Sequence, residues 1–154
     1  MLVFFNQVIG GSDLLSGGEK IIVEVLRRWR ALREITVVMP EHGVDLIRDR
    51  EGLEVKYAAL PLTPLDKNNL YWKHLFLIPL VWLIHTVRAS SKVLRMRLPD
   101  KIVLCSGDFF CNVIPACLLK IKDKRTQLAV AVFHIIDSPF KRKGGYSFLS
   151  NFAS

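Results

Sequence analysis

Five short apolar runs punctuate the chain, and a stretch of helical periodicity lies between each and the next. The runs are residues 2–9, ITVVMP (35–40), EVKYAAL (54–60), KIVLCSG (101–107) and QLAVAVFHII (127–136). They are nearly continuous in apolar residues rather than alternating with polar ones. That is the pattern of strands covered on both faces, as in a parallel sheet. Parallel strands need long crossovers, usually helical. The order β-α-β-α-β-α-β-α-β therefore predicts an α/β domain: a Rossmann-like, doubly wound parallel sheet of about five strands with helices on both faces. Ligands of such sheets bind at the carboxyl ends of the strands. Those ends are residues 7–18, Pro40–Gly43, Pro61–Asp66, Ser106–Phe110 and His134–Gly145.

The intervening segments carry their own signals. A helix is predicted from about Gly18 to Leu32, with Ile21, Ile22, Val25, Leu26, Trp29 and Leu32 on its apolar face. Residues 41–52 read as a short helix ended by Gly52, and PLTPLDKNN as a proline-punctuated loop. Residues 70–97 read as a helix kinked at Pro79. In FFCNVIPACLLKIK, Pro115 suggests that the regular turns begin near Asn112, which would cap them. His74 and His85 flank an apolar run and read as helix-surface residues. After the fifth strand, DSPFKRKGGYSFLSNFAS has loop chemistry and then a short amphipathic stretch.

A chain of 154 residues fits one domain of ordinary size. Its 22 basic and 14 acidic residues leave a formal charge of +8, which favours an anionic partner. Cys105, Cys111 and Cys117 form no C-x-x-C pair, so neither a zinc site nor a disulfide framework is indicated and the thiols are expected reduced. No metal site is expected. The N-terminal MLVFFNQVIGG has no basic residue before its apolar stretch and reads as a strand, not a signal peptide. The longest apolar run, Leu75–Ile84, is too short to span a bilayer as a helix.

The first strand-to-helix loop is the most informative segment. It has about ten residues, against the two to six usual for such loops, and holds Gly10, Gly11, Gly17 and Gly18. Glycines let the backbone approach a ligand, and amides at a helix start suit a phosphate or a sugar hydroxyl. The spacing is neither G-x-G-x-x-G nor a Walker A loop. A loop without a ligand is the plain alternative.

The strand, the long loop and GGEKIIVEVLRRW together resemble the start of glycosyltransferase family 4, of the two-domain GT-B type. LCSGDFFCNVIPACLLK resembles that family's fourth strand and next helix, VAVFHIIDSPF its fifth strand ending in a histidine, and KRKGGYSFLSNF the segment beyond. The resemblance covers essentially the whole chain, as an N-terminal, acceptor-side half. It implies transfer of a sugar from a nucleotide-diphosphate sugar to a lipid-linked or other glycan acceptor, hexosyl- or mannosyltransferase-like, without a metal or other cofactor. No E-x7-E donor element is present, so this half is expected to be a fragment, inactive alone, that needs a C-terminal donor domain or a partner chain.

The resemblance gives His134 the catalytic position, orienting the sugar. The expected substrate-binding residues are Gly10, Gly11, Gly17, Gly18, Glu19, Asp108, Lys141 and Arg142. Asp108 has a second reading as a helix cap. Glu19, Asp13 and Asp137 all fall near the cleft, and spacing singles out none of them as a base. Basic clusters lie at Arg27–Arg33, Lys120–Arg125 and Lys141–Lys143. They are either solvated surface or, with the stretch Tyr71–Arg88, a contact for an anionic membrane. The expected place is the cytoplasm, with peripheral attachment to the cytoplasmic membrane face as an option. The rival function is a non-catalytic, membrane-associated partner subunit of a separate transferase chain. Nucleic acid is not an expected partner, because the basic residues are dispersed and no nucleic-acid motif occurs.

Overall fold

The computed structural model describes residues 1–5, 17–64, 77–96 and 102–132; at positions 17, 18 and 78 only the backbone is described. Strands β1 (Leu2–Phe4), β2 (Thr36–Pro40), β3 (Lys56–Leu60), β4 (Ile102–Cys105) and β5 (Gln127–Val130) form one five-stranded sheet in the order β3-β2-β1-β4-β5. Every pairing is parallel. The chain winds outward from β1 to β3, then crosses back to place β4 on the other side of β1. This is the doubly wound, Rossmann-like α/β arrangement, with its direction reversing between β1 and β4.

Alternation along the strands builds two cores. Val3, Val37, Met39 and Leu104 point to one face and pack on Ile22, Val23 and Leu26 of α1 (Gly17–Trp29), with Val44 and Ile47 beyond. Leu2, Phe4, Val38, Leu60, Val103 and Cys105 point to the other face. There they pack on Ala89 and Val93 of α3 (Leu77–Arg95) and on Ala116 and Leu119 of α4 (Phe110–Lys122). Right-handed crossovers put the helices of the outward run on one face and those of the return run on the other. Phe4 and Val3 are fully buried, as the central strand requires. Among the described residues β3 and β5 are the edge strands, and Gln127, Ala129 and Val130 of β5 are exposed.

Several expected details change. The buried line of α1 is Ile22, Val23 and Leu26; Ile21 and Leu32 are 56% and 78% exposed, and Trp29 is on the surface. The position of Arg27 fits this orientation. Its guanidinium donates to the Glu51 carbonyl (2.8 Å), which ties one flank of α1 toward the segment before β3. The apolar flank bearing Ile21 and Val25 is turned away from that side. The helix expected over residues 41–52 is α2 (Glu41–Asp45) running into one π-helical turn at Leu46–Arg50. Gly52 ends it at φ +60°, a conformation other L-residues rarely adopt.

His85 is not a surface residue: it is 1% exposed on the packing face of α3, with Val81, Trp82, Ala89 and Val93. Pro79 lies within α3, and the earlier part of the helix expected over residues 70–97 falls outside the described residues. Neither Asn112 nor Asp108 caps α4. The N-cap is Phe109, with no side-chain cap bond, and Asn112 lies buried inside the first turn. The ladder of β5 ends at Val130, with one further bond from the Ala131 amide to the Cys105 carbonyl (2.9 Å).

Candidate functional site at the reversal of the sheet

The carboxyl ends of β1 and β4 lie side by side where the strand order reverses. Sheets of this kind bind ligands at such a point, and α1 and α4, which follow the two strands, pack on opposite faces. The Phe5 amide still bonds the Val38 carbonyl (2.9 Å), and the Ser106 amide bonds the Phe4 carbonyl (3.0 Å). The sheet therefore holds its last two central residues rigidly at the edge.

Ser106 is fully buried, and its Oγ has no hydrogen-bond partner among the described residues. A buried hydroxyl without a partner costs stability. Gly107 follows, also buried, and then Asp108 reaches solvent. Phe109 and Phe110 anchor the far end of this loop. Their rings meet Trp82 of α3 edge-on, with centroids 4.9 and 6.0 Å away. Such contacts add about 0.5–1.5 kcal/mol each beyond area burial. The loop is thus pinned by strand pairing at one end and by an aromatic cluster at the other.

The electrostatics nearby are quiet. Burial pushes the Cys105 and Cys111 thiols up to about 12, so neither is a nucleophile at neutral pH. All three cysteines are free, and Cys117 is exposed. On α1, hydrogen bonding by Arg27 holds the exposed Glu24 carboxyl below its usual range. Among the described residues no group of His, Cys, Asp and Glu side chains has the makings of a metal site. Nor is any described helix long and apolar enough to cross a membrane. The edge carries a buried hydroxyl, a short glycine-containing loop and an acidic side chain in solvent.

The expected site residues divide into two sets. Gly17 and Gly18 are already the first residues of α1, not part of the loop before it, and Glu19 is half-buried in the same first turn. Asp108 is exposed on the β4–α4 loop. The start of α1 and this loop share the carboxyl edge, each following one of the two central strands. His134, Gly10, Gly11, Lys141 and Arg142 lie outside the described residues, as do Asp13 and Asp137. The sequence reading placed Ser106 only in the strand-end segment Ser106–Phe110 and Trp82 only in the stretch Tyr71–Arg88, and gave neither a role of its own. A small polar residue directly after the apolar run of β4 is the signal that would have found Ser106; Trp82 left none, because its role depends on where α3 crosses α4. Comparison with protein families, with characterised proteins and with solved structures gives no match to this chain.

Proposed function

We propose that this chain is the acceptor-side domain of a GT-B-type glycosyltransferase. The complete enzyme moves a sugar from a nucleotide-diphosphate sugar to a hydroxyl of a glycan or lipid-linked acceptor. The observation that carries the reading is the buried, unpartnered Ser106 hydroxyl at the reversal of a β3-β2-β1-β4-β5 sheet. The order of sequence motifs supports it: the glycine-rich first loop, the S-G-D loop after β4 and the histidine after β5.

In this reading the Ser106 Oγ hydrogen-bonds an acceptor hydroxyl, and the first-turn amides at Gly17 and Gly18 hold an anionic group of the acceptor. Glu19 and Asp108 accept from sugar hydroxyls at the same edge. His134 orients the transferred sugar, and Lys141 and Arg142 bind phosphate. No cofactor is assigned beyond the donor substrate, which a donor domain in the same or another chain would hold. The place of action is the cytoplasm.

The test is an amide NMR titration of the chain with two probes, an alkyl-phosphate-linked monosaccharide and a nucleotide-diphosphate sugar. The acceptor mimic should shift the Ser106, Gly107 and Glu19 amides, and the nucleotide sugar should leave them in place. Absence of any shift with the acceptor mimic, or shifts only away from this edge, refutes the reading.

A further inference from the structure

The two helical layers of the sheet differ sharply in charge. The layer of α1, α2 and the π-turn mixes acids with bases, and the ion pairs of Arg27 and Arg28 with Glu24, and of Arg48 with Asp45 and Asp49, lie there. The layer of α3 and α4 has no acidic residue in either helix and five basic ones: Arg88, Lys92, Arg95, Lys120 and Lys122.

The outward faces of these helices are apolar. On α3, Leu80, Leu83, Val87 and Leu94 are 45%, 53%, 58% and 39% exposed. They recur every three, four or seven residues, on the side opposite the buried Trp82, Ala89 and Val93. On α4, Phe110, Ile114 and Ile121 are 36%, 44% and 74% exposed on the equivalent line. The helices run side by side in the same direction. Trp82 meets Phe110 at their starts, and the Lys122 Nζ donates to the Leu94 carbonyl (2.6 Å) near their ends. Two adjacent outward stripes make one apolar surface. An apolar line on the solvent side of a helix is unusual unless something covers it.

The basic side chains frame that surface. Arg88 and Lys92 lie on the flank of α3 nearer β3, where they donate to the Pro61 and Ala59 carbonyls. Lys120 lies at the other margin and donates to the Lys124 and Thr126 carbonyls (2.6 and 2.7 Å). These bonds steady the ammonium and guanidinium groups without neutralising them. An apolar strip between basic margins is complementary to an anionic bilayer: the strip enters the acyl boundary while the cations meet headgroup phosphates.

We infer that the outer face of the α3–α4 layer docks on an anionic lipid surface. The docking is independent of sugar transfer, because Ser106 lies at the sheet edge and not on this face. The probe is flotation of the full chain with phosphatidylcholine vesicles, with and without phosphatidylglycerol. The chain should float with the phosphatidylglycerol vesicles only, and rising salt should release it. Leu83→Ser with Val87→Ser should lower partitioning at least about tenfold. Arg95→Gln should lower it about fivefold. Ile21→Ser on the opposite layer should leave it unchanged. If the α3 double variant loses its fold by circular dichroism, Ile114→Ser with Ile121→Ser tests the same face from α4.

The inference is overturned if the chain stays behind with anionic vesicles, or if both double variants bind as well as the parent. It is equally overturned if the chain is a dimer that these substitutions render monomeric, which would make the face a contact between copies. None of these results bears on the NMR titration of the sheet edge at Ser106.

Discussion

Ser106→Ala should make the ligand-free protein more stable, against the usual sign for a buried residue. The Oγ is fully buried and has no hydrogen-bond partner among the described residues. Leaving a buried hydroxyl unsatisfied costs about 1–3 kcal/mol. Removing one oxygen opens a small void and forfeits some dispersion contacts, a loss of less than about 1 kcal/mol. The balance is a gain of about 1 kcal/mol. For a chain of this length that is a rise in Tm of roughly 2–4 °C. Urea unfolding followed by circular dichroism reads the free energy, and a thermal scan reads Tm. The same variant should lose the response of the Gly107 amide to the acceptor mimic, since the group that rewards binding is gone. A stabilised, unresponsive variant is the signature of a functional site kept at the expense of the fold. A variant destabilised by about 1 kcal/mol or more would refute the reasoning, because the hydroxyl would then be satisfied in the free protein.

Other perturbations follow from the packing. Trp82→Ala removes the ring that joins α3 to Phe109 and Phe110, and should cost about 3–5 kcal/mol with loss of near-ultraviolet dichroism. Gly52→Ala should cost about 1 kcal/mol in urea unfolding and Gly52→Asn less; nothing lies within 4 Å of an added Cβ, so the cost is backbone strain alone. With a disulfide-exchange reagent at neutral pH, Cys117 should react quickly, whereas Cys105 and Cys111 should react only after unfolding. The same two thiols make stability depend on alkaline pH. Their folded pKa, about 12, lies above the ordinary 9.0, so from about pH 9 the unfolded chain releases protons first. Stability should be intact below that value and fall as pH rises toward 12, as read by urea midpoints across the range.

The sheet was legible because its strands are uniform apolar runs, and such runs allow few alternatives between helical segments. Helix ends were harder. Asn112 and Asp108 both have capping chemistry, yet the chain turns into α4 at Phe109, where Trp82 holds the rings. That preference is tertiary, and no local window contains it. His85 shows the same limit. A histidine beside an apolar run reads as surface until the helix is docked, and His85 then proves to lie on its packing face. The face of α1 was misjudged because six apolar residues span more arc than the sheet beneath covers, so that Ile21, Trp29 and Leu32 stay exposed. The site was half visible. Periodicity identifies the strand ends, but it does not say that the fourth strand pairs with the first, so the edge shared by Ser106 and Phe5 emerges only with the strand order.

The place of β1 also bears on how the chain is made. β1 is made before the other described strands yet sits at the centre of the described sheet, and it gains its second neighbour only when Leu2 meets Val103. At about 5–20 residues per second, that partner is synthesised roughly 5–20 s later. Throughout that interval a strand of Leu2, Val3 and Phe4 has one open edge and an unfinished cover. Pairings between such distant segments are slow to form even in a complete chain. Nascent chains of this protein should therefore depend on holding chaperones at β1, and should be most prone to aggregate when translation stalls before β4.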